Sequence, residues 1–210
     1  MTCLIVYSII NVLLIRWKEM VVFVAPRGER NASEAAISLL EHAYRTELGG
    51  ELPEIKRMPL GKPYFPGFPD THFSLSHSAT HILCALSGSP VGCDIESPRE
   101  ITELALRYFC SPDELKLFEP LELWVLKESY VKLLGLTIAT IRNLLLSLED
   151  SKIVVTERIR QGDGSYVIEK CPPVFFKLYR MDGCIASVCS FDEHPPPDIE
   201  SADLNFHAEI

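Results

Sequence analysis

The chain has 210 residues, 47% of them apolar, and a formal charge of −9. So much apolar side chain at this length builds a core, which excludes general disorder and allows one large domain or two packed halves. No run of Lys or Arg offsets the acidic balance, so broad electrostatic attachment to nucleic acid or to an acidic membrane is excluded.

In chain order, residues 3–15 are apolar but too short to span a bilayer, lack a basic flank and are interrupted by Tyr7, Ser8 and Asn11. They read as a core strand or short helix. Residues 20–25 read as a strand. Asn31-Ala32-Ser33-Glu34 reads as a helix start, followed by Ala36, Leu40, Ala43 and Tyr44 at helical spacing and stopped by Gly49-Gly50. A Pro/Gly-rich connection from Pro59 to Asp70 leads to strand-like runs at 72–76, 81–86 and 91–96. Ser111-Pro112-Asp113-Glu114 carries the signature of a helix start, and a second helix is expected over 119–134, ending at Gly135. Strands follow at 152–158, 174–180 and 184–191. From Glu193 onward the chain has three consecutive prolines, five acids and no Lys or Arg, and reads as a frayed tail. The seven cysteines include no Cys-x-x-Cys pair and sit mostly in apolar runs, as buried thiols of a reducing, cytoplasmic protein do.

Three stretches carry candidate chemistry. In Val91-Gly92-Cys93-Asp94-Ile95-Glu96, strand alternation sends Val91, Cys93 and Ile95 to the core and Gly92, Asp94 and Glu96 to the opposite face. Two carboxylates so close repel unless a cation lies between them; a hard, oxygen-binding ion such as Mg²⁺ suits them, with Gly92 leaving room for a ligand. The solvated face of an edge strand is the competing reading. Trp124, Glu128 and Lys132 fall at i, i+4 and i+8 on one helix stripe, either a surface ion pair or a half-buried functional face. Gly61-Lys62-Pro63 with Ser74-Leu75-Ser76-His77-Ser78 offers hydroxyls, an imidazole and a lysine for phosphate. The spacing of His77 and His81 suits a zinc pair only on a helix, and this context is strand and turn, so zinc is rejected there.

Taken in order, Gly61-Lys62-Pro63, Phe73-Ser74-Leu75-Ser76-His77-Ser78, Gly92-Cys93-Asp94-Ile95-Glu96, Phe109-Cys110-Ser111-Pro112-Asp113-Glu114 and Trp124-x-x-Lys127-Glu128-Ser129-x-x-Lys132 resemble the 4′-phosphopantetheinyl transferases of the surfactin-synthetase-activating type. The resemblance covers residues 61–135 firmly and 136–191 loosely. It implies an α/β (α+β) fold of two similar, pseudo-symmetric halves, 1–90 and 91–192, with the active site at their interface and 193–210 as a flexible tail. The implied reaction moves the phosphopantetheine arm of coenzyme A onto a serine of an apo carrier protein, with Mg²⁺, releasing 3′,5′-ADP. Asp94, Glu96 and Glu128 match the metal ligands, Glu128 and Lys132 the catalytic pair, and Lys62, Ser76 and His77 the coenzyme A contacts. Arg30, with Arg27, is the nearest candidate for the cations that such proteins carry on a basic N-terminal helix, which this sequence lacks. A monomer acting on a carrier protein is expected. The alternative is a degenerate protein that binds coenzyme A or a carrier without transfer.

Overall fold

A computed structural model describes residues 19–204; the apolar residues 3–15 lie outside the described residues. Strand β1 (Val21–Pro26) leads into helix α1 (Ala32–Leu48), then the short strands β2 (Lys56–Arg57) and β3 (Pro63–Tyr64). Three strands follow, β4 (His72–His77), β5 (His81–Ser87) and β6 (Val91–Glu96). Helix α2 (Glu103–Phe109), a 3-10 turn (Glu114–Lys116) and helix α3 (Pro120–Leu134) form the middle. A 3-10 segment (Ile138–Asn143) leads to β7 (Leu144–Glu149), β8 (Lys152–Arg160), β9 (Tyr166–Lys170), β10 (Phe175–Met181), β11 (Cys184–Ser190) and β12 (Glu200–Ser201).

The α+β expectation holds, and the way the apolar faces pair explains it. One sheet has the order β12-β1-β5-β4, a second β10-β11-β6. Alternation along β1 and β5 sends Phe23, Cys84 and Leu86 against Leu39, Leu40 and Ala43 of α1. The residues between them, Val22, Val24, Leu83 and Ala85, meet Val91, Cys93, Ile95 and Val188 of the second sheet. The far face of that sheet packs on Leu126 and Tyr130 of α3, next to Leu144, Leu146 and Val155 of the β7-β8-β9 sheet. The layers therefore run helix, sheet, sheet, helix.

Helix α1 starts where Asn31 indicates: its Oδ1 accepts from Ser33 N at 2.9 Å and Glu34 N at 3.3 Å. Helix α3 opens on a capping box between Glu119 and Glu122 with Pro120 in its first turn, and closes on Gly135 at φ 67°. Residues 111–114, in contrast, open only a single 3-10 turn. The reciprocal bonds exist: Glu114 N donates to Ser111 Oγ at 3.2 Å, and Ser111 N to Glu114 Oε2 at 2.8 Å. But the Glu114 carboxylate also turns inward to Leu146 N at 2.8 Å, and Glu119-Pro120 restarts the chain as α3 a few residues later. The frayed-tail reading is corrected for residues 193–204. Strand β12 pairs parallel with β1, Ala202 is buried and its N–H donates to Val24 O at 2.8 Å, and Tyr179 Oη donates to Pro196 O at 2.6 Å. Acidic composition hid the few contacts that hold this segment down. No helix among the described residues is long and apolar enough to cross a membrane.

Candidate active site

Strands β4 and β6 are the edges of their sheets, and at the seam each covers the other. Serines of β4 supply acceptors to β6: Cys93 N donates to Ser74 Oγ at 3.0 Å and Ile95 N to Ser76 Oγ at 3.3 Å. On this side the odd-numbered residues of β6 face the inter-sheet core, as expected, leaving Gly92, Asp94 and Glu96 toward α3.

The room at Gly92 is filled by protein, which corrects the expectation of ligand space. A Cβ there would stand 2.0 Å from Ser129 O and 2.5 Å from Leu133 N, both backbone atoms of α3. The glycine lets the helix settle onto the strand, and that approach sets the distances across the site. Lys132 Nζ donates to Asp94 Oδ1 at 2.7 Å and to Ser76 Oγ at 2.9 Å, while Ser76 Oγ donates to Asp94 Oδ1 at 2.6 Å. One turn back on the helix, Glu128 Oε2 lies 3.7 Å from Lys132 Nζ. Asp94 is only 4% exposed, and its Oδ2 is buried without a hydrogen-bond partner among the described residues.

Burial, then repulsion from Asp94, pushes the Glu128 carboxyl up to about 7, against the pull of Lys132. Burial works against the charge of Lys132, but Asp94 and Glu128 outweigh it and hold the ammonium above the ordinary lysine value. Glu96 takes two bonds from Arg99, at 3.2 and 3.4 Å, and the Arg99 guanidinium lies 5.4 Å from the centre of the Trp124 ring. Trp124 is thus half-buried at the top of the stripe, edge-on to Phe109 at 5.0 Å. Among the described residues no group of three or more His, Cys, Asp or Glu side chains is gathered closely enough to hold a metal by itself. The unpartnered Asp94 Oδ2 and the mutual repulsion of the carboxylates are nonetheless features that a divalent cation would relieve.

A cavity of about 330 Å³ opens beside this cluster, lined by Arg57, Lys62, Ser76, His77 and Lys132, with Ile37 from α1. Lys62 reaches it across the Gly135 turn, but its ammonium donates to Leu133 O at 2.6 Å and Val91 O at 3.4 Å, tying β6 to the end of α3. Burial lowers the Lys62 pKa, a lysine already committed to carbonyls. Arg30 stands just before the N-cap of α1, whose residues Ser33, Ala36 and Ile37 line the cavity. Lys127, a lysine of the same motif as Glu128 and Lys132, is elsewhere: its Nζ is buried against Glu114 at 2.7 Å, Phe109 O at 2.6 Å and Leu144 O at 2.7 Å. Helical geometry turns it about 100° from Glu128, into the core. Arg57, absent from the motif reading, lines the cavity and donates to Gly61 O at 2.9 Å; its place before the Gly61-Lys62-Pro63 turn was the available signal.

Residues 90–169 match the 4′-phosphopantetheinyl transferase superfamily. The chain is 33% identical over 153 residues to 4′-phosphopantetheinyl transferase Sfp of Bacillus subtilis (strain 168), covering 66% of this chain and 63% of that protein. It is 34% identical over 137 residues to another Bacillus subtilis 4′-phosphopantetheinyl transferase, 58% of this chain and 55% of that one. Over 85 residues it is 40% identical to 4′-phosphopantetheinyl transferase gsp of Aneurinibacillus migulanus, 36% of this chain and 35% of that one. The alignments thus span less than two thirds of these relatives. The strand of Asp94, the seam it shares with α3 and the stripe of Glu128 and Lys132 all fall inside the matched segment, and with them three of the five motifs that resemble the 4′-phosphopantetheinyl transferases; Gly61-Lys62-Pro63 and Phe73–Ser78 precede it.

Proposed function

We propose that the protein transfers the 4′-phosphopantetheine group of coenzyme A to a serine of an apo acyl or peptidyl carrier protein. The observation that carries this reading is the Asp94–Lys132–Glu128 cluster, built from a sheet edge and a helix and opening on a cavity with further cations. Displacement at phosphorus asks a protein chiefly for positioning and charge neutralisation, which this arrangement supplies. The serine oxygen forms the new bond to phosphorus as the bond to the 3′,5′-ADP oxygen breaks. Glu128 takes the serine proton, and the Lys132 ammonium offsets charge on the transferring group and on the departing 3′,5′-ADP. Ser76 holds Lys132 and Asp94 in register, His77 and Arg57 face the phosphates of coenzyme A from the cavity wall, and Lys62, which spends two of its N–H groups on Leu133 O and Val91 O, has one left for them. Arg30 is assigned to the 3′-phosphate end.

A Mg²⁺ ion fits the donor set, with Asp94, Glu96 and Glu128 the residues that would hold it; when bound it supplies charge neutralisation on the diphosphate. The exposed apolar side chains Leu104, Tyr108, Leu115 and Leu117 on the middle of the chain provide a contact face for the carrier.

Incubation with coenzyme A, Mg²⁺ and a panel of apo carriers, followed by intact-mass measurement, tests the reading. It predicts a gain of one phosphopantetheine mass on at least one carrier, lost in Asp94→Ala. Calorimetric binding of coenzyme A with no mass gain on any carrier would favour the binding-only alternative.

A further inference from the structure

We propose that the recess between α2, the 3-10 segment before β7 and the face of β8 is a second anion site, separate from the Asp94–Lys132 cluster, that takes a phosphate-bearing small molecule. The recess encloses about 560 Å³, within the range of small-ligand pockets, and four arginines line it: Arg107, Arg142, Arg158 and Arg160. They come from three separate elements. Arg158 and Arg160 are two apart on β8 and so share a face, Arg107 projects from the last turn of α2, and Arg142 lies in the last turn of the 3-10 segment.

In a chain of charge −9, clustered guanidinium groups are ordinarily matched by nearby acids. Here they are not. Arg107 pairs with Glu103, but among the described residues no carboxylate lies within ion-pair distance of Arg142, Arg158 or Arg160. The one carboxylate lining the recess, Glu114, is 2% exposed and already serves Lys127, Ser111 N and Leu146 N. The charge of Arg158 is also felt inside the protein. Burial is the largest cause of the lowered Lys127 pKa, and Arg158 adds to it.

Three guanidinium groups facing one recess repel each other and concentrate positive potential there, and a multiply charged anion reverses that cost. Guanidinium forks match phosphate oxygens in pairs. Ser111 and Tyr166 add a hydroxyl and a ring to the wall, the Tyr166 ring 5.9 Å from the Arg158 guanidinium. A concave site reached from three directions suits a compact tetrahedral group better than an extended acidic chain.

Isothermal titration of the full chain with inorganic pyrophosphate and with ADP, in EDTA, tests the site. Two binding components are expected for the wild type, one at the coenzyme A cavity and one at the recess, and only the recess component is weakened, on the order of tenfold for each guanidinium removed, in Arg158→Gln and Arg158→Gln/Arg160→Gln. Similar affinities for the two probes would identify free polyphosphate as the ligand, and tighter ADP binding a nucleotide with its base on Tyr166. Because both arginines are partly or wholly exposed the variants should melt as the wild type does, and a circular-dichroism melt checks this. Identical isotherms for wild type and the glutamine variants would overturn the site. So would arginine-dependent binding of a poly-glutamate peptide with no response to either phosphate probe, which would make the recess a protein-docking surface.

Discussion

Adding one methyl group at Gly92 should separate the two halves of the candidate site. The Cβ of Gly92→Ala would meet Ser129 O at 2.0 Å, Leu133 N at 2.5 Å and Leu133 Cα at 2.9 Å, all helix backbone, so no rotamer change can relieve it. To reach ordinary contact α3 must retreat by about 1 Å or more. Lys132 and Glu128 move with the helix, while Asp94 stays on β6, paired to Ser187 of β11. The 2.7 Å contact between Lys132 and Asp94 then opens, and so does the 2.6 Å bond from Lys62 to Leu133 O. Overpacking of this kind costs about 1–3 kcal/mol, or a melting-temperature fall of ~5 °C in a chain of this size. Misplacing reacting groups by about 1 Å costs transfer on the order of a hundredfold. Thermal melting and the carrier mass assay under initial-rate conditions measure the two effects separately. A Gly92→Ala protein with wild-type melting and wild-type transfer would refute the argument that this close approach builds the site.

Three further outcomes are expected. Lys127→Met leaves Glu114 charged and buried, so it should lose about 3–5 kcal/mol in urea unfolding, and the double variant with Glu114→Leu should recover much of that. Lys132→Ala leaves Asp94 buried without its cation, costing ~1–3 kcal/mol, and millimolar Mg²⁺ should raise its melting temperature more than that of the wild type; equal responses would count against the carboxylate cluster as a cation site. Alkaline pH should destabilise the fold through its thiols. Burial pushes Cys93 up to about 11 and Cys189 up to about 12, whereas unfolded thiols ionise near ~8.5. The unfolded chain therefore releases protons first: this contribution is complete below pH ~8.5 and is lost as pH rises toward 11. Melting curves from pH 8 to 10.5 should show the decline, and Cys93→Ala/Cys189→Ala should flatten it.

Where sequence and structure agree, a local signal and a tertiary contact point the same way. Asn31 caps α1 because its side chain reaches backbone N–H groups two and three residues on, and alternation over Val91–Glu96 sorts core from cleft because both faces are covered. The exposed strand β9 and the short strands β2 and β3 carry no comparable pattern, and α2 is a short helix capped by Thr102 that buries only Phe109 fully and leaves Leu104 and Tyr108 exposed. Strand β12 depends on a partner at the other end of the chain, and its own residues, Glu200 and Ser201, give no sign of one.

The three lysines of the site region show why residue type and spacing stop short of function. Lys62, Lys127 and Lys132 are equivalent as motif letters, yet each ammonium is captured by a different environment. Lys127 faces a buried carboxylate and two carbonyls, Lys62 spans a helix end and a strand, and only Lys132 sits between the carboxylates. What separates Lys127 from Lys132 is five residues of helix, about 140° of rotation, and that much follows from the sequence. Which side of the helix is cleft and which is core follows only from the strand it packs on. Gly92 decides that: with no side chain there, α3 lies flat on β6, and the same contact that excludes a ligand from Gly92 brings Lys132 to Asp94.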